Sequence, residues 1–269
     1  MNELPDCQSG AQRLPALAVV VPMLDELAGA ERCVQQITKE LARLDPVGCL
    51  VVVDDGSTDG TGALLDRLEQ SNHELRVVHH SGNRGYGVAL RSGAAEAQRA
   101  GSDWVLFMDS DLTNPPEDIA RFVEAIAGPV DCVKASRYAK GGAARGVPLK
   151  RQVISRVGNA IAGLLFGLPL SDLTNGFRAI RLASFLNMPL REKGFAIIAE
   201  EAYWAGRMGL RWAEVPTVLT NRDRSLSGSS FRYRPSVLYL YARYPAKAFA
   251  ERIGKSMTRV FRTERGGGR

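Results

Sequence analysis

Two short apolar runs that each end in a cluster of carboxylates constrain this chain more than any other feature. Leu50-Val51-Val52-Val53 runs into Asp54-Asp55-Gly56-Ser57-Thr58-Asp59-Gly60-Thr61, and Trp104-Val105-Leu106-Phe107-Met108 runs into Asp109-Ser110-Asp111. Continuous apolar runs of this length read as strands buried on both faces. In an open parallel sheet, ligands bind beyond the carboxyl ends of the strands. Two acidic clusters at strand exits therefore point to a site for a metal and a diphosphate. Carboxylates repel phosphate, and a hard divalent cation held by Asp oxygens bridges the two.

The surrounding pattern supplies the rest of such a sheet. Residues 17–21, 50–53, 76–79, 104–108 and 130–135 read as strands, and 31–44, 60–70, 87–100 and 116–127 as helices between them. Strict alternation of this kind predicts repeated βαβ units, right-handed crossovers and a mostly parallel sheet in an α/β fold. Beyond residue 138 the pattern changes: 139–146 is a small-residue loop, 149–166 a long helix, 177–180 and 212–218 strands, with a helix over 200–208. The expected organisation is an extension over 1–16, one domain over 17–235 and a C-terminal segment over 236–269.

Composition narrows the class. The 269 residues are 45% hydrophobic, enough for one full core. Cys7, Cys33, Cys49 and Cys132 show no Cys-x-x-Cys spacing, which favours reduced thiols over a disulfide scaffold or a zinc site. His73, His79 and His80 fall in one short region away from the acidic motifs, so histidine-based nucleophilic catalysis has little support. Residues 1–15 are polar and unlike a signal peptide. The stretch 160–170 is too short to span a bilayer, which takes about 20 apolar residues. These readings place the chain in the cytoplasm.

Each motif has a structural and a functional reading. Ser57 or Asp59 caps the helix that follows, while a strand-end Asp in the same loop accepts from the imino or amino group of a nucleotide base. Asp109 and Asp111, one residue apart, either cap the helix started by Pro115-Pro116-Glu117 or share one cation. Oxygen ligands without His or Cys favour Mg²⁺ or Mn²⁺.

Taken in order, the motifs resemble glycosyltransferase family 2. They are Val20-Val21-Pro22 with Asp25-Glu26, Asp54 to Thr61, Asn83-Arg84-Gly85, Met108-Asp109-Ser110-Asp111-Leu112 with Pro115-Pro116-Glu117, and Ser136-Arg137-Tyr138. Asp172-Leu173-Thr174-Asn175-Gly176-Phe177-Arg178 and Glu214-Val215-Pro216 narrow the resemblance to the polyprenyl-phosphate (dolichyl-phosphate) mannosyl- and glucosyltransferase branch. The resemblance implies a GT-A fold and inverting transfer of a hexose from a nucleotide-diphosphate sugar, of GDP-mannose or UDP-glucose type, to a polyprenyl phosphate. Carried over by position, Pro22, Glu26, Val53, Asp55 and Ser110 border the nucleotide. Asp109 and Asp111 hold the metal, and Arg222 reaches the diphosphate. Arg137, Arg151 and Ser155 hold the acceptor phosphate, and Asp172 is a catalytic carboxylate. Arg151 and Ser155, four apart, share a helix face, and arginine is the favoured planar donor to phosphate. The chain departs from the family pattern at Leu24, where an aromatic residue is common, at Thr113, where Gln is frequent, and at 222–228, which lacks the usual Lys.

Two rival readings stand beside this one. Transfer to a soluble hydroxyl acceptor needs a base, for which Asp172 and Glu200 are the candidates. A non-catalytic binding or scaffold subunit on a degenerate version of the fold needs none.

All of the net charge of +6 lies in the tail, where 243–269 carries eight Lys/Arg against two Glu. Phe249, Ile253, Met257, Val260 and Phe261 fall on one helical face, with Lys247, Arg252, Lys255, Arg259 and Arg262 on the other. Such a helix either lies on an anionic membrane surface, making the protein peripheral at the inner face, or docks on its own domain. A separate membrane-protein partner is a further expectation. No aromatics interleave these charges as stacking platforms, so no nucleic acid partner is expected.

Overall fold

The computed structural model describes residues 15–44, 48–220 and 242–254. In chain order the elements are β1 (Leu17–Met23), α1 (Leu27–Leu41), β2 (Cys49–Asp54), α2 (Thr61–Ser71), β3 (Leu75–His79), α3 (Tyr86–Arg99), β4 (Trp104–Phe107), α4 (Ile119–Ile126) and β5 (Cys132–Ser136). There follow β6 (Ala143–Ala144), α5 (Leu149–Phe166), β7 (Arg178–Arg181), α6 (Leu182–Leu186), α7 (Ile197–Arg207), β8 (Trp212–Pro216) and β9 (Val218–Leu219). A final helix, α8, covers 242–254.

Seven strands form one sheet in the order β3-β2-β1-β4-β7-β5-β8. All neighbours are parallel except β7, which runs antiparallel to β4 and β5. β1 lies between β2 and β4, so the strand order reverses beside it and a crevice opens at their carboxyl ends. This is where the two acidic clusters leave the sheet.

Side-chain alternation sorts the core into two layers. Leu17, Val19, Val21 and Met23 of β1 face Ala30, Cys33, Val34 and Ile37 of α1, together with Leu65 and Phe122. Ala18 and Val20 face the other way, onto Ala89, Leu90 and Ala94 of α3 and onto Phe185 and Ile197. A third cluster joins Phe166 and Leu170 to Ala199, Ala202, Tyr203 and Tyr244. Through it α8 is docked on the domain. Tyr203 donates to Glu251 Oε1 at 2.7 Å, Arg207 pairs with Glu251, and Arg252 Nη1 donates to Leu164 O at 2.9 Å, satisfying the C-terminal end of α5. The described part of the tail thus takes the docked alternative. Met257, Val260 and Phe261 lie outside the described residues.

Three further details differ from expectation. The helix over 116–127 begins as a 3₁₀ turn, Pro116–Asp118. The loop over 139–146 contains β6, paired with β9. The strand over 212–218 breaks at Thr217, whose hydroxyl turns inward to donate to Asp118 Oδ2 at 2.7 Å. No helix among the described residues is long and apolar enough to cross a membrane.

Candidate active site

The loops leaving β1 and β2 are stitched to each other. Asp25, at φ 53°, accepts from Thr58 N at 2.8 Å, and Ser57 Oγ accepts from Asp25 N at 2.9 Å. Thr61 Oγ1 accepts from Glu26 N at 3.0 Å, and Asp59 Oδ2 from Leu27 N at 3.0 Å. Ser57 therefore holds the neighbouring loop instead of capping α2, while Asp59 Oδ1 accepts from Thr61 N at the start of that helix at 2.9 Å. The stitching fixes Pro22 and Val53, cross-strand neighbours in the β1–β2 register, at the mouth of the crevice.

Asp54 and Asp55 point to opposite sides of β2, and each meets a histidine. His79, opposite Asp54 in the β2–β3 register, sits 3.0 Å from Asp54 Oδ2 and 2.9 Å from Asp66 Oδ1. His80 Nδ1 lies 2.6 Å from Asp55 Oδ1. The two histidines are thus not away from the acidic motifs: the strand register brings them there. Asp55 also accepts from Arg84 N at 3.0 Å and Gly85 N at 2.8 Å, so this carboxylate fastens the turn that leads into α3. Burial raises the Asp54 carboxyl, and bonds from Ser57 and His79 outweigh it, leaving the group below its usual range.

Asp109, Ser110 and Asp111 are half-buried at the exit of β4. Tyr86 Oη donates to Asp109 Oδ1 at 3.2 Å. Gly176 backs the other oxygen so closely that a Cβ there would lie 3.0 Å from Asp109 Oδ2. Asp111 Oδ1 accepts from Thr113 N at 3.0 Å and Thr113 Oγ1 at 2.9 Å, so the residue standing where relatives often have Gln steadies the second carboxylate. Below them, burial and then the charges of Asp111, Glu26 and Asp109 push the Cys33 thiol up. Among the described residues no group of three or more His, Cys, Asp or Glu side chains is arranged to hold a metal. Two carboxylates alone suit Mg²⁺ or Mn²⁺, which take one or two protein carboxylates and complete their shell with substrate phosphates and water.

Arg137, Ser155 and Asp172 belong to a second assembly. Asp172, fully buried, accepts from Arg137 N at 3.1 Å, Nε at 2.6 Å and Nη2 at 2.8 Å. Burial raises its carboxyl, and the Arg137 bonds and charge outweigh that, so it lies below its usual range. Glu214 holds this turn from beneath, accepting from Ser171 N at 2.7 Å and Asp172 N at 3.2 Å. From α5, Asn159 Oδ1 accepts from Leu173 N at 2.7 Å and Thr174 N at 3.2 Å. Asn159 Nδ2 also reaches Ser155 Oγ at 3.4 Å and Thr174 Oγ1 at 3.2 Å, and Thr174 Oγ1 accepts from Arg137 Nη2 at 3.0 Å. Ser155 and Arg137, distant in sequence, thus belong to one network. Arg151 stands exposed one turn before Ser155. Lys134 Nζ, buried, donates to Asn175 O at 2.7 Å, and burial followed by the nearby Arg178 charge lowers its amine to about 7.

This geometry changes the reading of the two candidate bases. Asp172 is enclosed and engaged by Arg137. Glu200 is also buried, and its carboxylate accepts from the backbone N–H groups of Arg191 and Glu192 at 2.8–3.0 Å. Arg222 and Arg224 lie outside the described residues. Thr220, the last described residue before them, donates its N–H to Thr113 O at 3.0 Å.

Tyr86, Asn159, Glu214, His80 and the Arg178–Glu201 pair were not singled out as site residues by sequence reasoning. Asn159 was the most accessible of them, since it continues the four-residue spacing of Arg151 and Ser155 on α5.

Residues 18–187 match the protein-family model described as Glycosyl transferase family 2. The chain is 33% identical over 190 residues to a polyprenol monophosphomannose synthase of Mycolicibacterium smegmatis, covering 68% of this chain and 72% of that protein. It is 32% identical over 181 residues to an undecaprenyl-phosphate mannosyltransferase of Micrococcus luteus, covering 66% and 74%. Its fold is similar to that of a glucosyl-3-phosphoglycerate synthase from Mycobacterium tuberculosis, solved with Mn²⁺, UDP and glucosyl-3-phosphoglycerate. The TM-score is 0.61 at 22% identity, over 89% of this chain and 80% of that one.

Proposed function

Because the chain belongs to glycosyltransferase family 2, we propose that it transfers a hexose from a nucleotide-diphosphate sugar to a polyprenyl phosphate, with inversion, at the cytoplasmic face of a membrane. The observation that carries this reading is the cradle around Arg137. A buried carboxylate holds the guanidinium in a fixed plane, and the network through Thr174 and Asn159 links it to Ser155. Arginine is the favoured planar donor to a phosphate, and here the protein sets its orientation.

The protonation chemistry agrees. A phosphate monoester has its second pKa at about 6, so the acceptor arrives as an oxyanion and needs no protein base. A hydroxyl acceptor needs one, and the carboxylates of Asp172 and Glu200 are both occupied. In this reading Asp172 is a positioning residue for Arg137. Pro22, Glu26, Val53, Asp55 and Ser110 border the donor nucleotide, and Arg222 reaches its diphosphate. Asp109 and Asp111 would hold Mg²⁺ or Mn²⁺, which supplies positive charge to a departing diphosphate. An acceptor phosphate oxygen attacks the anomeric carbon as the bond to the nucleoside diphosphate breaks. The turn 172–176 touches both halves, gripping Arg137 through Asp172 and backing Asp109 through Gly176.

Membrane contact is supported by α5 as well as by the basic tail. Leu149, Val153, Ile154, Val157, Ile161 and Leu164 are 53–74% exposed on this helix, whose inner side carries Ser155 and Asn159. An apolar outer face flanked by Lys150, Arg151 and Arg156 suits insertion at an anionic lipid surface beside the phosphate cradle.

The test is a transfer assay with Mn²⁺, labelled GDP-mannose or UDP-glucose, and either a polyprenyl phosphate or soluble hydroxyl acceptors, including 3-phosphoglycerate. The expected product is a lipid-phosphate sugar. Sugar transferred only to a hydroxyl acceptor would overturn the reading, and donor binding with neither transfer nor hydrolysis would favour a scaffold.

A further inference from the structure

We propose that Tyr86 is a positioning residue for the Asp109 carboxylate, with the buried Arg178–Glu201 ion pair fixing the Gly176 backbone beside the same carboxylate, so that the chain orients its metal ligand through a tyrosine. The inference rests on the reading of Asp109 as a metal ligand.

The phenol is fixed from three sides. Tyr86 opens α3 between two glycines that press against the 192–194 segment. A Cβ on Gly85, at φ 99°, would lie 2.5 Å from Lys193 O, and one on Gly87 would collide with Glu192 O. Gly87 N donates to Lys193 O at 2.7 Å, which secures this approach. The Tyr86 ring stacks on Phe195, with centroids 4.5 Å apart and planes at 26°. Its hydroxyl donates to Asp109 Oδ1 at 3.2 Å, and a Cβ on Gly176 would lie 3.5 Å from Tyr86 Oη.

An ionised carboxylate only accepts, so the phenol proton is directed at Asp109. The buried Arg178 holds the backbone beside both groups: Nε donates to Glu201 Oε2 at 2.5 Å, Nη2 pairs with Glu201 Oε1, and Nη1 donates to Gly176 O at 2.6 Å. The guanidinium also lies over the Phe107 ring, 4.7 Å from its centroid. Arg178 and Glu201 are each 1% exposed. A buried pair of this kind adds little net stability over apolar side chains of the same volume, so orientation is the better account of its presence. Through Nη1, Arg178 holds Gly176, which backs Asp109 Oδ2, while Tyr86 bonds Oδ1. Partners that hydrogen-bond a ligating carboxylate typically govern metal affinity by about 10–100-fold, because they fix the ligand before the metal arrives.

The experiment is Mn²⁺ binding to the full chain, read by the electron paramagnetic resonance of free Mn²⁺ with GDP or UDP present. Tyr86→Phe is expected to raise the Mn²⁺ Kd by about tenfold. Its kcat at saturating Mn²⁺ and its Tm should stay near those of the unsubstituted chain. Phe195→Leu, which loosens the ring and keeps the phenol, should raise the Kd by a smaller factor. Tyr203→Phe, which removes a phenol bond to Glu251 outside the site, should leave it unchanged. Equal Mn²⁺ affinity in Tyr86→Phe and the unsubstituted chain overturns the proposal while the metal reading stands. If the unsubstituted chain takes up no Mn²⁺, the metal reading falls and this inference with it.

Discussion

Arg137 and Asp172 form a forked pair in which every Arg137 group facing the turn, N, Nε and Nη2, donates to a carboxylate with no exposed surface. Removing one partner of a fully buried pair costs about 3–5 kcal/mol, and the 17% exposure of Arg137 puts this pair below that range. Asp172→Asn keeps the shape and loses the charge, so it should lower Tm and free the guanidinium to swing. Misplacing a positioning group by about 1 Å costs about 100-fold in rate. A loss of that order in transfer to lipid phosphate is expected, with donor hydrolysis unaffected. Acid provides a second test. The Asp172 carboxyl is depressed in the folded chain, so its stabilisation is complete above the unfolded pKa of about 3.9 and is lost as pH falls through the folded value. The stability gap between the unsubstituted chain and Asp172→Asn should hold from pH 7 to 5 and close below about 4. A gap independent of pH would remove the charge from the account.

Asp109→Asn and Asp111→Asn should each cut transfer by at least about 100-fold, the order lost when a principal electrostatic group is removed from a reacting centre. Folding should survive, because the amide that replaces either carboxylate still carries one oxygen. At position 111 that oxygen can accept from Thr113, and at position 109 from Tyr86. Product formation and Tm measured on the same preparations decide this. Full activity in either variant with Mn²⁺ or Mg²⁺ present would exclude that residue as a ligand.

The parts of this molecule that could be read from sequence are those encoded locally. The uninterrupted runs 50–53 and 104–108 are central strands, and the carboxylates after them stand at the reversal of strand order beside β1. Strand direction is not local: 177–180 reads as a strand, yet nothing in it says that β7 runs antiparallel to both neighbours. The histidines are an intermediate case. Two adjacent Asp end β2 and two adjacent His end β3, and with Asp54 opposite His79 each His must meet the Asp on its own side. That pairing needs the register, which only the folded sheet fixes. Arg178 and Glu201 come from different elements and share no periodicity, so their meeting under the site had no sequence signal.

Lys134 gives a prediction that runs toward alkaline pH. Burial, then the charge of Arg178, holds its amine at about 7, far below the ordinary lysine value. The unfolded chain therefore binds more protons than the folded one between about pH 7 and 10.4, and stability must rise with pH across that window. The contribution approaches about 1.4 kcal/mol per pH unit for one fully unshared proton. Lys134→Met should remove this slope while keeping the packing. Urea unfolding of both chains at pH 7, 8 and 9 tests it, and parallel stability curves would show that the lysine does not titrate there.

The last prediction separates the two candidate membrane devices. α5 exposes six large apolar side chains, with Leu149, Val153, Val157 and Ile161 at four-residue steps along one stripe, and α8 adds Phe249 and Ile253, 43% and 45% exposed. Partial insertion at roughly 25 cal/mol per Å² would make several such side chains a substantial anchor. The basic tail adds up to about 1 kcal/mol per cation near an anionic surface, an attraction that salt screens. A Val157→Glu, Ile161→Glu double variant changes exposed positions only, so Tm should hold while the salt-insensitive part of anionic-vesicle binding is lost. Transfer to a short water-soluble polyprenyl phosphate should persist. Truncation after Gly254 should weaken vesicle binding at low salt and leave the apolar, salt-insensitive part. Truncation after Tyr244 goes further, removing Glu251 from Tyr203 and Arg207 and Arg252 from the end of α5, and should lower Tm by a few degrees. If the double variant binds vesicles normally and the Gly254 truncation does not bind at all, the tail is the anchor and the apolar face of α5 serves something other than lipid.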